Sequence, residues 1–539
     1  VSGPRVLIIG LDGASWRVVR PWAEAGKLPA LASLMQRGTW GVLRSTSPAL
    51  TLPAWASFMT GKNPGGHGVY GFRRLAPDRY DGAGLANATD LRTATIWDVA
   101  AAAGRRVGVV NVPPSYPIRP IPNGFVVGCM LTPPGQPFTD PPELASELGE
   151  YEIDTPALKN LRRTDPDYRS RSLAYLRGLE RQTRLRSLAS VRVATRRPVD
   201  ALCVVFYAPD RLQHYFWNYV DPSATTERDP ELDQAVHAVY RELDRSVARL
   251  LEAAGPETAV IVLSDHGFTN KPERSVRINR WLADHGHLRR HAFWTLRRRV
   301  IRKLLPEPWR GRYDTTDHIL VDRARSRAWA ESLFTGSAGI WIHVRGRYPH
   351  GCVAPGAEYE AVRGEIQRGL AGLHDEDGHP VFSGVFRREE LYSGPFVDEA
   401  PDLVAECHPR FGILFESLRR ELKDPNLFGP FEELGYTGTH EADGLYILAG
   451  GPFAARNEGA AHPIEAIAPT VLYALGVPIP SDMEAEPCLD AVRDDFRAAH
   501  PVERSEPLEV HRSDGQGAWR SGTDEAKVAE HLRALGYLE

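Results

Sequence analysis

Four short apolar runs decide what this chain can fold into: residues 6–9, 107–110, 202–206 and 259–263. Each is dominated by β-branched and aliphatic residues, the pattern of a strand buried on both faces. Helical patterns over residues 28–37, 94–103 and 232–253 fall between them. The alternation predicts an α/β fold with a central, mostly parallel sheet between helices. Ligands of such sheets sit in the crevice beyond the carboxyl ends of the strands.

Chemistry-bearing residues cluster at those strand ends. Asp12 lies just past the first run, Asp210 a few residues past the third, and Asp265 just past the fourth. A carboxylate buried there needs a cation, an arginine or solvent. Asp210 and His214 are four apart, a spacing that turns both toward one ion from a helix face or a tight loop. Asp265 and His266 precede Gly267, which would permit a turn bringing both into the crevice; a capping Asp beside an exposed His fits equally. His440 lies in Gly438-Thr439-His440-Glu441-Ala442-Asp443-Gly444, where flexible glycines suit a ligand reaching in from a loop. A last strand over 445–448 would present His440 at its entry, which meets the same crevice if that strand runs antiparallel. Thr51 precedes Pro53 and an apolar helix through Met59. It reads as an N-cap, or as a hydroxyl placed where helix amides favour phosphate and a nearby dication would favour its alkoxide. Ser45, Thr46 and Ser47 are local alternatives. Lys62 and His67, in the glycine-rich stretch 60–68, either meet phosphate oxygens or are solvated. Together, these positions could converge on two divalent metals beside a hydroxyl nucleophile.

At 539 residues the chain needs two lobes, or one core with a large insertion. The expected core comprises residues 1–130, 199–285 and 430–490. Residues 131–198 and 286–429 read as cap or insertion segments, and 491–539 as a C-terminal extension. An arginine-rich helical stretch spans 167–197, and a second basic stretch, 289–312, carries Phe293, Trp294 and Trp309. Such mixtures form nucleic-acid grooves or phosphate pockets, but solvated helix faces are the default reading. A net charge of −4 gives no global reason for nucleic-acid binding. The tail over 493–522 reads as an extended wrap or partial disorder, with a final helix from Thr523 to about Ala534 and no chemistry expected there. Five cysteines, none in a C-x-x-C pair, do not make a disulfide framework. No apolar stretch approaches the roughly 20 residues of a membrane span. With the first strand beginning almost at once, a cytoplasmic, non-membrane protein is the expectation. The sequence carries no sign of oligomeric state.

Taken in order, Leu11-Asp12-Gly13, the Thr51 segment through Thr60-Gly61 and His67-Gly68, Asp210 with His214, Ser264-Asp265-His266-Gly267 and Gly438-Thr439-His440 resemble the alkaline phosphatase superfamily. The likeness is nearest to its type I phosphodiesterase and nucleotide pyrophosphatase branch and the phosphohydrolase or phosphomutase proteins allied to it. The segment 467–478 matches a further family pattern, so the resemblance spans most of the expected core. It implies that Asp210, His214 and His440 hold one metal, and Asp12, Thr51, Asp265 and His266 the other. Zinc is the first expectation and manganese the second. Thr51 would attack phosphorus, and water activated at the Asp210/His214/His440 metal would hydrolyse the phosphothreonine. One departure bears on substrate: that branch carries an asparagine shortly after its His-Gly element, whereas Val69-Tyr70-Gly71-Phe72 stands here. Either Lys62, His67 or Asn111 takes its task at a phosphoryl oxygen, or the substrate is not a diester of that type. Sulfatases are disfavoured, since the Thr51 segment lacks a formylglycine motif. The expected function is hydrolysis of a small soluble, nucleotide-like phosphate ester. The alternatives are a phosphodiesterase or nucleotide pyrophosphatase proper, a phosphomutase on a sugar or glycerate phosphate, and a non-catalytic metal-binding scaffold.

Overall fold

The computed structural model describes residues 5–74, 84–155, 158, 161–224, 228–290, 321–414, 418–431, 435–510 and 522–534. Strands β1 (Val6–Leu11), β2 (Gly38–Arg44), β3 (Val107–Val110), β4 (Phe125–Val127), β5 (Thr139–Asp140), β6 (Ala201–Phe206) and β7 (Ala259–Leu263) enter the central sheet. β8 (Gly267–Asn270) and β9 (Gly438–Glu441) pair with each other beside it, β10 (Asp443–Ala449) enters it, and the two-residue strands Asn457–Glu458 and His462–Pro463 pair with β2 at its edge. The sheet order is β2-β10-β7-β1-β6-β3-β4-β5. β7, β1, β6, β3 and β4 are parallel neighbours, while β10 runs antiparallel to both β7 and β2. The fold is thus the expected α/β sheet, with the last strand reversed.

The continuous apolar runs are explained by burial on both faces. Val6 and Ile8 point into one core with Cys203, Val205 and Ile261, whereas Leu7, Ile9 and Leu11 point into the other with Val204, Phe206 and Val262. Each such side chain contributes about 1.5–3 kcal/mol when taken fully from water. Helix α1 (Thr51–Thr60) covers the first face. The second is covered by α2 (Tyr168–Arg196) and α4 (Pro230–Ala254), with α3 (Ala208–Val220) running from the end of β6. α2 therefore belongs to the sandwich rather than to a cap, and several arginines on it or just beyond it are ion-paired. Arg169 meets Asp229 and Glu231, Arg181 meets Glu150 and Glu152, and Arg197 meets Glu147.

Within 286–429, the described part builds a separate four-stranded antiparallel sheet around its own core of Ile340, Ile342, Val362, Ile366 and Leu403. That core begins earlier than expected, at Val276 and Ile278. Phe293, Trp294 and Trp309 lie outside the described residues. The tail to residue 510 is pinned by a short helix, Asp494–Ala499, and by Arg504–Ser505 pairing with Ile479–Pro480. Helix α5 (Gly522–Ala534) buries Val528 and Leu532 against the core that α1 covers. Among the described residues, no helix is long and apolar enough to cross a membrane, and the five cysteines are free.

Candidate metal centre and nucleophile

The ends of β1, β6 and β7 are joined by backbone and carboxylate together. The Asp12 amide donates to Phe206 O at 3.0 Å, and the Asp12 carbonyl accepts from the Asp210 amide at 2.9 Å. Gly13 adopts φ +68°, and its N–H donates to Asp265 Oδ1 at 3.0 Å. That left-handed turn suits glycine, and a Cβ there would also press on Asp210. Asp210 lies in the first turn of α3 and His214 one turn later, so both project to one side.

His440 does not reach in from a flexible loop, as its glycines suggested. It stands on β9, opposite Phe268 of β8. The flanking glycines serve close approach: a Cβ at Gly438 would lie 2.7 Å from Gln213 O and from Trp217 Cβ, and one at Gly444 would lie 2.7 Å from Ser264 Oγ. Thr437, just before β9, is wedged into α3. Its N–H donates to His214 O at 2.7 Å, and its Oγ1 accepts from Trp217 N at 2.8 Å. This insertion coincides with the non-helical Phe216 (φ −127°, ψ 27°), and accounts for the kink.

These elements bring the seven positions together. His440 Nε2 lies 3.1 Å from both Asp210 Oδ1 and His214 Nε2, and His214 Nε2 lies 3.3 Å from the same Asp210 oxygen. His266 Nε2 lies 3.3 Å from Asp265 Oδ2, 4.0 Å from Asp12 Oδ1 and 3.4 Å from Thr51 Oγ1. Nδ1 of His440 meets Ala49 O and Nδ1 of His266 meets Gly267 O, each at 3.1 Å. A carbonyl only accepts, so Nδ1 carries the proton in both rings and the Nε2 lone pairs face the cluster. Two triads result, Asp210/His214/His440 and Asp12/Asp210/His266, each with its ligand atoms within 4.8 Å of one another. Asp210 is common to both.

The donor set fits divalent cations. Asp12 Oδ1 and Asp265 Oδ2 are buried and accept no hydrogen bond, a costly arrangement that a metal would relieve. Burial, then the neighbouring Asp265 and Asp210, pushes the Asp12 carboxyl well above its ordinary range. Burial raises Asp265 too, with Asp210 adding to it. At Asp210, burial is outweighed by His214 first, and the carboxyl lies well below its ordinary range. Burial lowers His266 strongly and His440 to about 4, so both rings stay neutral, as ligands must be.

Thr51 is not a capping residue. Leu50 occupies that position without a side-chain bond, and Thr51 opens the helix, fully buried, with its hydroxyl beside His266. The other three expected contacts have partners of their own. Lys62 Nζ pairs with Asp482 and donates to Thr93 Oγ1 at 2.7 Å. His67 is fully buried, 3.0 Å from Ser57 Oγ, and burial followed by the charges of Lys62 and Arg92 lowers it to about 3. Asn111 donates to Ile153 O at 3.2 Å and accepts from Tyr151. Three contributors went unread in the sequence. Trp55 Nε1 donates to Asp12 Oδ2 at 3.1 Å, Arg211 reaches Asp210 Oδ2 at 3.4 Å, and Thr437 clamps α3. Only Trp55 had a signal, one helical turn beyond Thr51.

Among solved structures, the chain is similar to phosphonoacetate hydrolase from Sinorhizobium meliloti 1021 in complex with phosphonoformate: 17% identity, TM-score 0.55, covering 88% of this chain and 96% of that one. Human ectonucleotide pyrophosphatase/phosphodiesterase 5 matches at 13% identity and TM-score 0.48, covering 88% and 95%. No curated protein sequence matches the chain. The model for type I phosphodiesterase / nucleotide pyrophosphatase matches residues 6–440, a span from the start of β1 to the last metal-facing histidine. With its buried carboxylate and imidazole clusters at the sheet's carboxyl edge, the chain belongs to the type I phosphodiesterase / nucleotide pyrophosphatase family and is a metal-dependent phosphohydrolase.

Proposed function

We propose that the chain cleaves small soluble, nucleotide-like phosphate esters, with Thr51 as nucleophile and two metal ions. Asp210, His214 and His440 would hold one ion, and Asp12, Asp265 and His266, with Thr51, the other. Bound zinc, or manganese as second choice, would draw charge from the phosphoryl oxygens and favour an ionised nucleophile. The reading rests on one observation above the rest: a fully buried hydroxyl opens α1 and lies 3.4 Å from a neutral metal-facing imidazole.

What the chain itself contributes follows from that helix start. Pro53 has no N–H, and the first helical bond runs from Ala54 N to Leu50 O at 3.0 Å. Helix geometry leaves the Thr51 and Leu52 amides as donors for a phosphoryl oxygen. Thr51 Oγ gives up its proton and bonds to phosphorus as the ester oxygen departs and takes up a proton; water then attacks phosphorus, the bond to Thr51 breaks, and a proton from that water returns to Oγ. Lys62, His67 and Asn111 act in this reading as framework around the site.

Thr51→Ala should lower turnover on the order of 10³-fold while both ions remain bound. Undiminished hydrolysis would remove Thr51 as nucleophile. Comparing 4-nitrophenyl phosphate, its bis ester and phosphonoacetate distinguishes monoester, diester and phosphonate preference. Isomerised product without free phosphate would point to a mutase instead.

A further inference from the structure

Helix α5 lies beyond the family match, yet it reaches the metal centre through three side chains. His531 Nε2 lies 3.1 Å from Asp154 Oδ2. The same oxygen accepts from an Arg211 terminal nitrogen at 2.9 Å, and the other terminal nitrogen lies 3.4 Å from Asp210 Oδ2. The remaining Asp210 oxygen, Oδ1, faces His214 and His440. One guanidinium thus spans two carboxylates and turns Asp210 so that Oδ1 is presented to the cluster.

The link is built where charges interact strongly. Arg211 is 1% exposed and the Asp154 side chain 7%. Burial alone would raise Asp154, but Arg211 and His531 outweigh it and hold the carboxyl well below its usual range. Asp154 Oδ1 is occupied by the Thr155 amide at 2.9 Å, so Oδ2 is the oxygen that Arg211 and His531 share. The helix carrying His531 is fastened at other points too. Val528 and Leu532 are buried, Glu525 Oε1 accepts from Leu85 N at 2.7 Å, and Asp524 Oδ2 accepts from Gln136 Nε2 at 3.2 Å.

We propose that His531 is a positioning residue for the metal ligand Asp210, acting through Asp154 and Arg211, so that docking of α5 completes the metal centre. This rests on the reading of Asp210 as a ligand. Without His531, Asp154 opens to solvent, Arg211 loses the second point that fixes its plane, and Asp210 can rotate away from the two imidazoles. Nothing in the chemical steps changes; the affinity for the ion does.

The test uses the full chain, stripped by a chelator and titrated with zinc against a chromophoric competitor. Asp154→Asn should weaken one of the two zinc ions about tenfold, the low end of the range for groups that orient metal ligands, and His531→Leu, one contact further out, about three- to tenfold. His531→Gln, whose amide N–H reaches the same oxygen, should restore affinity to within about twofold of the parent on that scale. Glu525→Ala removes only the contact to Leu85 N, and with Val528, Leu532 and His531 still holding α5 in place it should leave affinity unchanged. Parent-like affinity in a folded His531→Leu protein overturns the proposal, as does no rescue by glutamine or an equal loss in a Glu525→Ala protein whose α5 remains docked. Asp210→Asn separates the two levels. If it too binds zinc normally, the ligand assignment has failed; if only it is impaired, the role of His531 alone has failed.

Discussion

Trp55 shows how one side chain can set the state of a carboxylate that something else will use. It is fully buried, one turn after Thr51, and its indole N–H donates to Asp12 Oδ2, while Asp12 Oδ1 accepts nothing. The same helix therefore carries the candidate nucleophile and orients a carboxylate near it. Trp55→Phe removes the donor but also leaves a void, so the single variant mixes two costs. A double-mutant cycle with Asp12→Ala, read by urea unfolding in chelator, isolates the bond. Burial raises the metal-free Asp12 carboxyl, so the acceptor is neutral and the expected coupling is about 0.5–1.5 kcal/mol, the scale of an ordinary hydrogen bond. Coupling below about 0.3 kcal/mol, within ordinary non-additivity, would mean that the indole only fills space. The strand-end carboxylates and the Asp210/His214 spacing could be seen in the sequence. Arg211 could not be assigned, because adjacency to Asp210 says nothing about which oxygen a guanidinium reaches.

At the scale of elements, legibility follows burial. Strands covered on both faces read almost to the residue: 107–110 and 259–263 coincide with β3 and β7, and 202–206 falls one residue short of β6. The amphipathic α2 and α4 were visible too, each within about two residues at either end, the usual fraying of helix boundaries. β2 was missed because its buried positions are held by Thr39, Gly41 and Leu43 while Trp40 and Val42 lie on the half-buried face, so no apolar alternation marks it, and β9 because it is four residues long with its partner far away in sequence. The β8–β9 ribbon holds His440, and it is locked to α3 by Thr437. Thr437→Val keeps the shape but strands the Trp217 amide, a loss of about 1–3 kcal/mol for a buried donor. Because the same wedge sets the spacing of His214 and His440, the variant should also bind zinc about tenfold more weakly, as when groups behind metal ligands are altered. A loss of stability with parent-like zinc affinity would show the wedge to be structural only.

For the molecule as a whole, the parallel strands deliver several carboxylates to one dry edge, and the consequence is a pH dependence that metal should erase. In the metal-free protein, Asp12 and Asp265 are raised, by burial first and then by neighbouring carboxylates. A raised carboxyl contributes stability that is complete below its unfolded value of about 3.9 and is lost as pH rises through the folded one. His266 and His440 act oppositely: lowered in the fold, they cost stability as pH falls below their unfolded value of about 6.5. The carboxyl effect is therefore read cleanly only above pH ~7.5, about a unit above the unfolded histidine value, where both rings are essentially neutral in either state. Between pH ~7.5 and ~8.5, the Tm of the chelated protein should fall, that of the zinc-loaded protein should stay nearly level, and zinc uptake should release protons. Calorimetry in buffers of different ionisation enthalpy counts those protons. Asp12→Asn should flatten the slope of the chelated protein, which separates this edge from other groups titrating in the window. A chelated protein whose Tm is flat or rising across that range, or zinc binding that takes up protons, would mean that the carboxylates are already ionised without metal and that their charges are balanced within the chain.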